Sequence, residues 1–297
     1  MPILLIEEPD EPFIQWISRI FYETLRCILT DSKVNKAITT VRVEEYFKNC
    51  DSKTFKLLEW ESGDESDEAS KFLEKDDEIV EIDDDIKDKL KFSMKQIKAY
   101  HFLICLVESW RAKKYDSENK EHEAKLYELW SLLKKNEKLK SRKSKQWEDI
   151  GFQGTDPATD FRGMGLLGLE QLIYFAKNDL DNCLKILQLS QHPTKGFPFA
   201  ICSITISFIA KELLINGHLK KHFYNNNINL ENVSIEDFHK TYMSLFKLFS
   251  NHWFFGNGLR DIMNFNVIKD EWTSIIEKFC SCDSANLLNL TTMQDIL

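Results

Sequence analysis

Apolar residues recur at three- and four-residue intervals along most of the chain, the spacing of helices that bury one face. Over 12–29 the stripe is Phe13, Trp16, Ile17, Ile20, Phe21, Leu25 and Ile28, with Arg19, Glu23 and Arg26 off it. A second helix is read near 33–48. A third covers 90–110, with Phe92, Ile97, Phe102 and Leu106 as its buried stripe, and a fourth covers 122–136 with Leu126, Leu129, Trp130 and Leu133 on one face. Leu166, Leu169, Leu172, Ile173 and Phe175 open the next. Residues 197–214 are apolar nearly all round, which marks a central core element. Ser234 to Asp237 reads as a capping box, and the helix it starts carries Phe238, Tyr242, Leu245 and Phe249 inward. A last helix spans 267–280. Nothing reads as a hairpin or a βαβ unit. The expected fold class is all-α, a multi-helix orthogonal bundle around the apolar helix at about 197–215, with an N-terminal helical extension.

Composition adds a boundary. Glu61 to Ser70 has almost no apolar residue and Glu74 to Asp85 is dominated by acids, so 61–88 reads as a solvated, flexible acidic linker. It separates N-terminal helices (1–60) from a connecting helix (89–116). Hydrophobic residues make up 43% of the 297, enough for a large core, and only 10 Gly and 6 Pro leave too few turn residues for many short strands.

Charge and cysteine usage exclude several function classes. At a net charge of −9 the chain lacks the basic excess that binds phosphate backbones, so no nucleic-acid partner is expected. The seven cysteines are an odd number without a C-x-x-C pair, the pattern of reduced thiols in a cytoplasmic protein. Glu7, Glu8, Asp10 and Glu11 stand where a secretory signal would be basic. The most apolar run, 197–210, is about fourteen residues, against roughly twenty for a membrane span. A soluble protein is expected. The 12–29 helix reads as docked on the core. Peripheral membrane contact is its alternative, weakened by the acids upstream and by a polar face poor in Lys.

Three patterns formally match binding motifs and fail on context. Gly163-Met-Gly165-Leu-Leu-Gly168 satisfies G-x-G-x-x-G, but Asp-Pro-Ala-Thr-Asp-Phe precedes it where a strand is required. His218 and His222 would share a helix face, but no third ligand or HExxH glutamate accompanies them. Cys280 and Cys282 are too close for usual zinc spacing. No metal and no cofactor are expected.

The block from Trp147 to Phe175 differs in kind. Gly151, Gly154, Pro157, Gly163 and Gly165 are interleaved with polar Gln153, Thr155, Asp156, Thr159, Asp160 and Arg162. That is the composition of a tightly turned functional loop on a helical scaffold. Phe161 precedes the arginine as an anchor, and Gly163 leaves room for another molecule to approach. Trp147, Gly151 and Phe152 read as further anchors. Two roles for Arg162 are open. Paired with Asp156 or Asp160 it would clamp the loop, the reading that residue chemistry alone favours. Left free it could serve as an arginine finger toward a phosphoryl group on another protein.

In this block the sequence resembles the ELMO domain-containing (ELMOD) family. The matching residues are Trp147, Gly151-Phe152-Gln153-Gly154, Asp156-Pro157, Thr159-Asp160-Phe161-Arg162-Gly163-Met164-Gly165 and Leu167-Gly168-Leu169. Similarity extends to His122-Glu123, Leu129-Trp130, Phe197-Pro198-Phe199-Ala200 and Asp237-Phe238-His239. The resemblance implies an ELMO domain over 117–283, leaving 284–297 as a C-terminal tail. It further implies GTPase-activating activity toward a GTP-bound Arf or Arf-like small GTPase, with Arg162 as the finger. Gln153, Asp156, Thr159, Asp160, Gly163 and Gly165 would then support the loop. The alternative is a non-catalytic scaffold of the ELMO type that binds a GTPase or a Dock-type Rac exchange factor. Such scaffolds are longer and typically lack the arginine.

Overall fold

The computed structural model describes residues 24–49, 84–226, 233–258 and 260–296. All regular structure among them is helical, and the chain divides into two compact units, Met1–His101 and Phe102–Leu297.

In the first unit, residues 24–30 are helical, followed by α1 (Lys36–Asn49) and by the start of α2 (Asp84–Ala112). Leu25, Leu29, Val43, Phe47, Ile86, Leu90, Met94 and Ile97 form its core. The 12–23 part of the expected first helix and residues 61–83 of the expected linker lie outside the described residues; 84–88 belong to α2.

The stripe expected on α2 is corrected. Ile97 is buried as expected, but Phe92 and Leu106 are half-buried and Phe102 is 43% exposed. The buried line runs through Ile86, Leu90, Met94, Ile97, Tyr100, Leu103 and Val107. Its steps are three or four residues and keep one helix face inward. The steps from Phe92 to Ile97 and on to Phe102 are five, which rotates a side chain away.

In the second unit, α3 (Lys120–Leu133), α4 (Gly165–Asn178), α5 (Leu180–Ser190), α6 (Phe199–Ile215), α7 (Lys220–Asn225), α8 (Ile235–Phe255) and α9 (Phe265–Cys280) follow. Helix α4 packs against α3, α5, α6 and α8, and α8 in turn packs against α6 and α9. Phe175 and Phe199 both meet the Phe246 ring, at 5.9 and 5.5 Å, where α4, α6 and α8 converge. A buried hydrogen bond of 2.6 Å between Ser203 and the Tyr242 hydroxyl ties α6 to α8 and satisfies both polar groups in the core. The capping box at Ser234 forms, with the Ser234 N–H donating to Asp237 Oδ2 at 3.2 Å. The last residues dock on α8 through short turns at Leu287–Asn289 and Met293–Asp295. No described helix is long and apolar enough to cross a membrane.

Candidate functional site: the arginine loop

The loop that joins α3 to α4 is built from two short 3-10 turns, Lys145–Ile150 and Pro157–Arg162. Ser144 caps the first by accepting the Gln146 N–H at 3.2 Å. Trp147 is fully buried, and its indole N–H donates to the Arg142 carbonyl at 2.7 Å. Its ring begins a run of aromatic contacts: Trp130 at 5.4 Å, Phe152 at 5.6 Å, then Phe161 at 5.6 Å from Phe152 and Tyr115 at 5.9 Å from Phe161. The first three contacts are edge-to-face and the last is stacked, packing that fixes ring orientation as well as burying area. It runs beneath both turns.

Two glycines close the loop against its surroundings. Gly151 has φ 83°, and a Cβ there would stand 2.2 Å from the Phe199 nitrogen; its carbonyl accepts the Ile201 N–H at 3.2 Å. The loop thus lies directly on the start of α6, where no larger residue fits. Gly165 has φ 54°, with the Arg111 and Lys113 carbonyls 2.2 and 2.4 Å from where its Cβ would be. The next residue, Leu166, donates its N–H to the Lys113 carbonyl at 2.8 Å.

The acids of the loop make their hydrogen bonds elsewhere than with Arg162, whose charge reaches Asp160 without an ion pair. Asp156 caps the second turn, accepting the Ala158 N–H at 3.2 Å, with Pro157 at the first position. Its two oxygens receive Arg142 at 2.7 and 3.2 Å, and Lys143 lies 3.4 Å away. Burial raises the Asp156 pKa, but the Arg142 fork, the Ala158 amide and Lys143 outweigh it and hold the carboxyl below its ordinary range. Asp160 Oδ2 accepts the Gln153 N–H at 2.8 Å, bridging the start of the loop to the second turn. Burial is the largest influence on Asp160 and leaves its pKa raised despite that bond.

Arg162 is exposed at the end of the second turn. Its Nε donates to the Thr159 carbonyl at 2.9 Å, and among the described residues no carboxylate forms an ion pair with it. The pairing with Asp156 or Asp160 that residue chemistry favours does not form. Arg142 takes Asp156, and the Asp160 oxygen faces a backbone amide. Gly163 has φ −83°, and a Cβ there would meet nothing within 4 Å, so its missing side chain is not required by local packing.

Beside the arginine lies an open groove of about 380 Å³, with Asp160 and Gly163 on the loop side and Ile201, Ile204 and Phe208 of α6 on the other. This groove and Arg142 escape a reading of the sequence. The only signal for Arg142 is one arginine within the lysine-rich stretch 134–145.

The remaining motifs separate. The G-x-G-x-x-G glycines follow a 3-10 turn and enter α4, without the strand that a dinucleotide site uses. His218 is 3.7 Å from Glu277, while His222 is buried. His222 Nδ1 accepts the Leu287 N–H at 3.1 Å, which assigns the ring proton to Nε2, 3.1 Å from the Thr241 hydroxyl. Burial pushes its pKa down to about 3. Cys280 is buried with its thiol pushed up to about 12, whereas Cys282 is exposed.

The described residues form a helical bundle that contains no strand and carries this loop between α3 and α4. The chain belongs to the ELMO/CED-12 family, whose model matches residues 105–269. It is 39% identical over 263 residues to ELMO domain-containing protein 1 of Mus musculus, covering 82% of this chain and 79% of that protein. It is 44% identical over 192 residues to ELMO domain-containing protein 2 of Bos taurus, covering 65% and 64%. ELMO domain-containing protein B of Dictyostelium discoideum is 35% identical over 201 residues, 68% of each chain. No solved structure gives a significant match.

Proposed function

We propose that this protein is a GTPase-activating protein for an Arf or Arf-like small GTPase, and that Arg162 is its arginine finger. The observation that carries the reading is the state of Arg162: exposed, tethered through Nε to Thr159 within its own turn, and without a carboxylate partner among the described residues. Arg142, by contrast, is taken up by Asp156. Among the described residues the terminal nitrogens of Arg162 have no hydrogen-bond acceptor, which leaves them available to phosphate oxygens.

In this reading the partner GTPase holds GTP, Mg²⁺ and the attacking water. Arg162 adds positive charge and directed N–H groups where negative charge develops on the transferring γ-phosphoryl group. A finger of this kind contributes roughly 10³ to 10⁵ in rate, or about 4–7 kcal/mol of transition-state stabilisation. Gln153, Asp156, Thr159 and Asp160 hold the turn that carries it, Gly165 lets α4 start against the Arg111 and Lys113 carbonyls, and Trp147, Gly151, Phe152 and Phe161 anchor the loop beneath. The non-catalytic scaffold is the competing reading, and the tether of Arg162 gives it no particular support.

The test is single-turnover GTP hydrolysis on a panel of Arf and Arf-like GTPases, with wild type set against Arg162→Lys. Acceleration by wild type and its loss in a folded, binding lysine variant support the reading; equal acceleration by both would contradict it.

A further inference from the structure

An apolar helix without a polar face is ordinarily buried on every side. Helix α6 is apolar almost throughout, yet one face is open. Positions 201, 204, 205, 208, 211, 212 and 215 fall within about one third of the helix circumference at ~3.6 residues per turn. None of the seven is buried, and Phe208 and Ile215 are 51% and 42% exposed. Lys211 lies over the Phe208 ring at 5.5 Å and pairs with Glu212 at 2.6 Å, so charged groups border the apolar line. An apolar centre with a charged rim is the composition of a protein-binding patch.

The position of this stripe decides what covers it. Ile201, Ile204 and Phe208 form one wall of the groove whose other wall is the Arg162 loop, through Asp160 and Gly163. An arginine side chain reaches only its own length, so a protein that receives Arg162 in its active site lies over that groove as well. A specific interface buries about 800 Å² on each partner, so the contact extends well beyond the finger itself. We infer that the outward face of α6, centred on Phe208, docks the apolar surface of the GTP-bound small GTPase beside its nucleotide. This inference rests on the reading of Arg162 as a finger. Switch loops that touch the γ-phosphate are ordered in the GTP state and released after hydrolysis, so a docking surface adjoining the finger engages the substrate state and frees the product.

The experiment titrates the full-length chain against each GTP-loaded GTPase of the panel in single-turnover hydrolysis and measures binding to the same GTPases loaded with a non-hydrolysable GTP analogue. Phe208→Asp and Ile204→Asp are compared with Arg162→Lys and with Met263→Asp, an exposed apolar residue (90%) outside the groove. Aromatic anchors of this kind are worth about ten- to hundredfold in affinity, so the Phe208 and Ile204 variants raise the half-saturating concentration by that factor and reach the wild-type plateau. Arg162→Lys lowers the plateau and leaves binding within a few-fold. Unchanged half-saturation in both α6 variants, or an equal loss in Met263→Asp, would overturn the docking surface, as would a wild-type dimer that Phe208→Asp dissociates without weakening GTPase binding. If wild type binds a GTPase without accelerating it and Phe208→Asp abolishes that binding, the finger falls and the docking surface stands. Absence of any binding across the panel overturns both. Circular dichroism of each variant checks that the fold is kept, which exposure predicts for Phe208, Arg162 and Met263, while half-buried Ile204 makes Phe208→Asp the deciding variant.

Discussion

The Arg142 guanidinium grips both oxygens of Asp156, at 2.7 and 3.2 Å, across fourteen residues of chain. That fork does two things at once. It fixes the cap of the turn that ends in Arg162, and it saturates the Asp156 carboxylate, so that acid is no partner for Arg162.

Arg142→Ala is therefore expected to act twice. Breaking a half-buried, charge-assisted fork costs about 1–3 kcal/mol, read as a lower urea midpoint. Freed Asp156 becomes a competitor for Arg162, so the plateau rate of GTPase activation falls by more than the population of folded protein explains. Arg142→Lys keeps the charge and loses the planar geometry, and its rate lies between the two. A rate equal to wild type in the alanine variant would separate this ion pair from the activity.

Glycine substitutions separate packing from approach. Gly151→Ala places a methyl against the Pro198–Phe199 backbone in a left-handed conformation, and roughly 2–4 kcal/mol of destabilisation is expected from strain and overpacking. Gly154 is also left-handed, with open space around it, so Gly154→Ala costs only about 1–2 kcal/mol. Gly163→Ala meets nothing and keeps an ordinary φ. It leaves thermal stability unchanged or slightly raised, and any loss of GTPase activation in it reports the partner's approach to Arg162. A melted Gly163→Ala protein would show that the residue serves the fold.

Asp160→Ala removes the acceptor of the Gln153 N–H. Binding to the GTPase is retained, and the plateau rate drops by about tenfold or more because the turn beneath Arg162 loosens. Loss of the helical circular dichroism signal would instead mark Asp160 as a residue of the fold.

Acid sensitivity follows from two buried imidazoles. Burial lowers His222 to about 3 and His239 to about 4, from 6.5 for the free side chain. Between these values the unfolded chain binds protons that the folded chain does not, so stability rises with pH there. The contribution is complete above about pH 6.5 and is lost as pH falls toward 4 and then 3. Urea midpoints measured from pH 7 to pH 4 fall steadily in wild type and fall less in a folded His239→Gln variant. A midpoint flat across that range would contradict the buried, neutral state of both rings.

Much of the helical order is written in residue spacing. The Ser234–Asp237 box and the face of Phe238, Tyr242, Leu245 and Phe249 stand as the pattern predicts, because a cap and a stripe are local features. The phase of α2 is obscured by the size of Phe92 and Phe102, although a continuous three-and-four spacing runs beside them. For α6 the pattern carries no phase at all: with apolar residues on every side, only the neighbouring helices decide that Ile206 is buried and Phe208 exposed. The loop is legible as a loop, but the reason for Gly151 is the backbone of residues 198 and 199, nearly fifty positions away. The Arg142–Asp156 fork is equally non-local, and no propensity encodes it.

The measurement that bears most directly on the central claim is single-turnover GTP hydrolysis by a GTPase that wild type binds, with wild type compared with Arg162→Lys at saturating concentration. The account predicts acceleration by wild type and a loss of about 10³ or more in the lysine variant, with binding and fold retained. Equal acceleration by the two proteins, or none by wild type on any GTPase it binds, would contradict it.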